Sequence, residues 1–226
     1  MQDHFYGADF SEAVLVANLK LSRSERYLSY PTKRVFDLAL ALALLPVVAP
    51  LIAVFWCALG KNGLFAQDRV GRGGRVFRCY KLRTMVVNAD QVLVELLASD
   101  PLSAAEWNRD QKLANDPRIT RLGRFLRVTS LDELPQILNV LRGDMSIVGP
   151  RPFMVSQERM YVAAGGRSYY YMRPGITGIW QTEGRSTTSF DARIDYDDQY
   201  AKNMGFKADL ALILKTAGVV LKLSGR

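Results

Sequence analysis

From Lys33 to Lys61 the chain reads KRVFDLALALALLPVVAPLIAVFWCALGK. Between Leu38 and Leu59 it runs 22 residues without a charge. As a straight helix those residues cover roughly 33 Å, about the thickness of a bilayer's hydrocarbon core. A soluble core helix seldom lacks a polar face over that length, so the run is expected in a membrane. It begins too late and is too long for a cleaved secretory signal. Pro46 and Pro50 each remove a backbone donor and bend a helix. Basic residues stand on both flanks: Lys33 and Arg34 before, and Lys61, Arg69, Arg72, Arg75 and Arg78 after. Such flanks favour the cytoplasmic side for both ends. A helix that dips in, breaks at the prolines and returns satisfies both observations. A single span kinked at proline is the alternative, since bilayers tolerate such kinks. The residues alone leave the two open.

At 226 residues the chain suits one domain, or one domain plus an appendage. Hydrophobic residues make up 49%, ample for a core, and 30 Lys and Arg against 22 Asp and Glu give a net charge of +8. That excess suits phosphorylated substrates, anionic lipid or nucleic acid without choosing among them. Cys57 and Cys79 are too few for a disulfide framework or a zinc site. The one histidine, His4, lies in the weakly patterned N-terminal arm, where Ala13 to Leu21 has the composition of a short helix. Catalysis by histidine is not expected.

Downstream, FAQDRVGRGGRVFRCYKLRTM reads as a β-hairpin around GRGG, with Lys81 and Arg83 on one strand face. Asn88 to Leu113 reads as helix, broken at Asp100-Pro101. Arg118, Arg121, Arg124 and Arg127 recur every third residue beside Leu122, Phe125 and Leu126, an amphipathic pattern suited to a membrane surface. Phe125 is the one ring among those arginines, and no series of aromatic stacking residues is interleaved with them, which argues against nucleic acid. The chain then reaches SLDELPQILNVLRGDMSIVGPRP, Ser130 to Pro152. Asp132 is expected to cap a helix with Pro135 in its first turn and Gly143 past its end. A carboxylate at a helix N-terminus either caps it or holds a metal beside a bound phosphate. Phe153 to Ala164 continues helically, and RPGITGIWQTEGR from Arg173 is a glycine-rich loop with a flat indole, Trp180, beside Gln181. The last apolar helix carries Lys215 and Lys222 seven residues apart, as an interfacial helix would.

The set KRVFD, QDRVG, YKLRTM, SLDELPQILNVLRGDMSIVGPRP and RPGITGIWQ resembles the monotopic phosphoglycosyl transferases, bacterial sugar transferases that start surface glycoconjugates. The likeness runs from Lys33 to the end, and the KLANDPRIT stretch is most similar to exopolysaccharide-initiating galactosyl- and glucosyl-1-phosphate transferases. It implies transfer of a sugar-1-phosphate from a UDP-sugar to undecaprenyl phosphate, leaving UMP, at the cytoplasmic face of the bacterial inner membrane. It also implies an Asp-Glu dyad working with Mg²⁺, here Asp132 and Glu133, the Asp forming a covalent phosphosugar intermediate. Arg151 falls on phosphate, with Lys81, Arg83 and Arg173 as further anion contacts and Gln181 toward nucleotide or sugar. The apolar helix becomes re-entrant. Its break, a Ser-Pro pair in the family, reads Ala49-Pro50 here, with Pro46 nearby.

The expected fold is therefore mainly α with a small β-hairpin (α+β), without a nucleotide-binding α/β sheet. It divides into an N-terminal arm (1–32), a re-entrant, proline-broken membrane helix (33–60) and a membrane-associated catalytic domain with amphipathic interfacial helices (61–226). An anionic bilayer is the expected surface, and a homodimer packed through membrane-proximal helices is one arrangement the residues permit. The competing reading is a basic membrane-surface adaptor without catalysis, which has no need of Asp-Glu beside an Arg-bearing GPRP loop.

Overall fold

The computed structural model describes residues 31–110, 113–184 and 189–221; the helix expected at Ala13 to Leu21 and Lys222 lie outside them. The first element is α1 (Pro31–Leu59), the one described helix long and apolar enough to cross a membrane. One stripe of it, Lys33, Asp37, Ala41 and Val48, is buried, and Leu45 and Ile52 extend that stripe against the core. On the other side Val35, Leu42, Val47 and Val54 are all more than half exposed. A continuous aliphatic face of this kind suits lipid.

The helix runs without interruption through Pro46, Ala49 and Pro50, so the expected break is not a gap in helical structure. Each proline costs one amide donor, and helical turns continue on both sides of it. Both ends of α1 nevertheless meet the body of the protein. At the first, Lys33 Nζ donates to Asp209 Oδ2 at 2.7 Å, and Asp37 accepts from Ser146 Oγ and the Ile147 amide. Near the other, the Phe55 ring lies 6.4 Å from that of Phe125. Lys33 and Arg34, read from the sequence as a basic flank, are packing groups: Arg34 donates to the carbonyls of Val140 and Leu141.

A hairpin follows, β1 (Leu64–Val70) antiparallel to β2 (Val76–Leu82), with Leu64 opposite Leu82. Its turn needs positive φ at Gly73 and Gly74, which glycine adopts without steric cost. Helices α2 (Ala89–Ser99) and α3 (Pro101–Asp110) meet at Asp100-Pro101 as expected, and Asp100 Oδ2 accepts from Ser103 Oγ. Helix α4 (Arg121–Val128) is capped by Thr120, whose hydroxyl accepts the Gly123 amide at 2.9 Å. The single cationic stripe expected here is split. Three-residue spacing drifts about 60° per step around a helix of 3.6 residues per turn. Arg121 and Arg124 face out, Arg118 is buried against Asp116, and Arg127 turns inward.

The remaining elements are α5 (Ile137–Arg142), β3 (Ser146–Val148), α6 (Glu158–Ala163), β4 (Gly175–Thr177), α7 (Arg193–Asn203) and α8 (Phe206–Leu221). The helical stretch expected over Phe153 to Ala164 is shorter, a 3₁₀ turn at Val155–Gln157 and then α6. Strands β3 and β4 form a parallel pair, Ser146 opposite Gly175 and Val148 opposite Thr177. A Cβ on Gly175 would stand 2.1 Å from the Gly149 amide nitrogen, so the two loops touch backbone to backbone. Lys215 on α8 pairs with Glu183 at 2.6 Å rather than standing alone. Two cores result. One joins α1, α5, β3 and α8 through Ala41, Val140, Val148 and Leu212. The other is aromatic, built on Phe153, Tyr161, Tyr169 and Phe190.

Candidate active site

Ser130 sits at φ 58, a left-handed conformation rare for a residue with a side chain. It turns the chain out of α4 and into a 3₁₀ segment, Leu131–Gln136. Asp132 therefore lies inside this segment and is not the expected helix cap; α5 begins two residues after Pro135. The local contribution is Pro135, which brings no amide to bond. Gly143 does end α5, at φ 93.

The 3₁₀ segment packs on β2, and this places Lys81 over Glu133. Glu133 Oε1 accepts from Lys81 Nζ at 2.7 Å and from Arg151 Nη2 at 2.9 Å. Burial pushes the Glu133 carboxyl up, but Arg151 and then Lys81 overcome it and hold it well below the ordinary carboxylate range. In return Glu133 raises the already high pKa of Arg151. Asp132 is 7% exposed and accepts no hydrogen bond from any described residue. Burial raises its carboxyl, Lys81 opposes that, and the adjacent Glu133 charge adds to it, with a net rise. One carboxylate of the pair is thus clasped by two cations, and its neighbour is hydrogen-bonded by none of the described residues.

Arg127, read from the sequence as part of a surface stripe, belongs to this cluster. Its Nε donates to Thr84 Oγ1 at 2.9 Å, burial lowers its pKa, and the charge of Asp132 is the largest opposing influence. The loop carrying Arg151 is held through its carbonyls. The Gly175 amide donates to Pro150 O at 2.8 Å, Arg193 Nη2 to Arg151 O, and Arg69 Nη1 to Pro152 O at 3.3 Å. Arg69 is half-buried, and the desolvation of its guanidinium lowers its pKa to about 10. Arg69 and Arg193 were not singled out as site residues by the sequence.

Three expected site residues make contacts outside the Lys81–Glu133–Arg151 clasp. Arg83 leaves the end of β2, donates from Nε to Asn62 O at 2.8 Å and covers the Phe65 ring. Arg173 bonds the Gly143 carbonyl at 2.9 Å, at the far end of α5. Gln181 is buried under the β3–β4 pair, its Nε2 3.3 Å from Gly175 O.

Among the described residues no group of three or more His, Cys, Asp and Glu gathers. The two adjacent carboxylates, one of them buried without a hydrogen bond from any described residue, are still a donor set that suits Mg²⁺. That ion takes one or two protein carboxylates and completes its shell with water and substrate phosphate.

Residues 28–223 match the family model described as Bacterial sugar transferase. The chain is 46% identical to the UDP-galactose-lipid carrier transferase of Erwinia amylovora, over 97% of this chain and 47% of that protein. It is 45% identical to the undecaprenyl-phosphate galactose phosphotransferase of Salmonella typhimurium, over 96% and 46%. It is 40% identical to the exopolysaccharide production protein ExoY of Sinorhizobium fredii, over 84% and 85%. The chain thus spans about half the length of the first two relatives and most of the third. With nearly all of its length inside the family model, the chain belongs to the bacterial sugar transferase family.

Proposed function

We propose that this chain transfers a sugar-1-phosphate from a UDP-sugar to undecaprenyl phosphate, releasing UMP, as the first membrane step of exopolysaccharide synthesis. The names of the Erwinia and Salmonella relatives favour galactose as the sugar, with glucose the alternative. The acceptor stays in the bilayer and the donor is water-soluble, so the reaction belongs at headgroup height on the cytoplasmic face of the inner membrane. The exposed aliphatic face of α1 suits that position.

The observation that carries the reading is the unequal pair. Glu133 is fixed between Lys81 and Arg151, while Asp132 beside it is buried and accepts no hydrogen bond from any described residue. A carboxylate whose lone pairs are not engaged is a competent phosphoryl nucleophile. An Asp132 oxygen attacks the donor's β-phosphorus; the new O–P bond forms as the bond to the bridging oxygen breaks, and UMP leaves with that oxygen. An oxygen of undecaprenyl phosphate then attacks the same phosphorus and displaces Asp132 as free carboxylate, leaving the lipid diphosphosugar. Arg151, beside this pair, is the candidate to bind two phosphate oxygens at once through its guanidinium, with Arg127 a second. Mg²⁺ held by Asp132 and Glu133 would supply positive charge against the phosphate oxygens as negative charge shifts between them.

UMP release from a panel of UDP-sugars, by purified protein in lipid discs with undecaprenyl phosphate, tests the proposal. Asp132→Asn should abolish release while leaving membrane binding intact. Full turnover by that variant would overturn the nucleophile assignment.

A further inference from the structure

Arg193 opens α7 and is 4% exposed. Its guanidinium carbon lies 5.1 Å from the centroid of Phe153, 5.2 Å from Phe190, 5.8 Å from Tyr161 and 5.9 Å from Trp180. Among the described residues its one ion pair is with Asp197, at 3.8 Å, too long for a strong bond. A charge buried this deeply costs more than so loose a pair returns, and an apolar side chain would pack there as well. What distinguishes Arg193 is its hydrogen bond to the carbonyl of Arg151.

The loop it grips cannot hold itself. Pro150 and Pro152 have no amide hydrogens and fixed φ, and Arg151, preceding a proline, is confined to extended backbone. Carbonyls are its main backbone handles, and Gly175, Arg193 and Arg69 take three in succession. Arg193 holds the middle one, on the residue whose side chain reaches Glu133. The two guanidiniums also share an indole, with Arg151 5.7 Å from the Trp180 ring.

We infer that Arg193 is a positioning residue for the transfer reaction: braced by its aromatic box, it fixes the Arg151 backbone and thereby where the Arg151 guanidinium stands. This rests on the reading of Arg151 as a phosphate-binding group.

A double-mutant cycle in lipid discs separates positioning from packing. Arg151→Ala, Arg193→Met, Arg193→Lys and the two double variants are compared for UMP release, with melting measured alongside. Arg193→Met should lower kcat by up to about 100-fold, the scale of an ångström-level misplacement, with donor KM changed less than about threefold. Arg193→Lys, which keeps a donor but loses the planar fork, should recover part of the loss. In the Arg151→Ala background either substitution should change the residual rate by less than about twofold, because the group it positions is gone. An Arg193 effect that persists in full without Arg151, or unchanged turnover in Arg193→Met, overturns the inference. Should Arg193→Met fail to fold, the Arg193→Lys cycle decides by the same criterion. Full activity of Arg151→Ala alone would instead overturn the reading of the site, whatever Arg193 does.

Discussion

Replacing Glu133 by glutamine keeps its size and removes the charge that Lys81 and Arg151 share. The three side chains are 16%, 20% and 33% exposed respectively, so two part-buried cations would lose their hydrogen-bonded counter-charge and keep only the more distant influence of Asp132. Breaking a fully buried pair costs about 3–5 kcal/mol; partial access to water brings this to about 2–3 kcal/mol. At roughly 2–4 °C per kcal/mol for a domain of this size, Tm should fall by about 5–10 °C. Thermal unfolding in lipid discs without Mg²⁺ reads this directly. The pH dependence supplies the sharper check. Glu133 is held below its ordinary value of 4.5 in the folded protein, so its stabilisation is complete above that value and drains as pH falls. By pH 3.5 about 1.4 kcal/mol of it is gone, and the gap between wild type and Glu133→Gln should close by about half. A gap below about 2 °C at neutral pH, or one as wide at pH 3.5 as at pH 7, would refute the clasp.

The neighbouring acid should behave in the opposite way. Burial, with repulsion from Glu133, raises the Asp132 carboxyl, so without Mg²⁺ Asp132→Asn should stabilise the fold by about 0.5–2 kcal/mol, and a lower Tm would contradict the account. Asp197 is pushed up to about 6 by burial against the pull of Arg193 and Tyr161. A raised carboxyl destabilises the folded state as pH climbs from about 4 to 6, so Asp197→Asn should gain on wild type across that window by up to about 3 kcal/mol in a pH series of melts; a difference independent of pH would rule out this titration. Because both ends of α1 touch the body, cysteines at Thr32 and Lys61 in a Cys57→Ser background should share one side of the membrane. An impermeant maleimide that labels only one of them in intact cells would establish a crossing.

What the sequence makes legible is what local pattern carries. The hairpin around GRGG, the break at Asp100-Pro101 and the stop at Gly143 follow from turn and cap chemistry. The parallel pair of β3 and β4 does not, because three residues a strand leave no period to read. The adjacency of Asp132 and Glu133 is plain in the chain, but their division of labour is set by Lys81, 52 residues away, and Arg151, 18 away. Lys33 carries the same lesson at greater range, since the basic flank of an apolar run is ordinarily a topology signal. Here its partner is Asp209, 176 residues downstream and fully buried. Arg193 left a fainter trace: it is the single base within Asp191 to Asp198, beside Phe190. A cation surrounded by acids and rings reads equally as a solvated face, and only burial separates the two. These misreadings share a cause. Sequence reasoning sends charge to the surface by default, whereas this chain draws arginines and carboxylates inward where α1 and the GPRP loop are fastened to the body. Buried charge of both signs is a costly way to gain stability; under the proposed function, its presence at those two joints holds the phosphate-binding loop in register with the apolar helix.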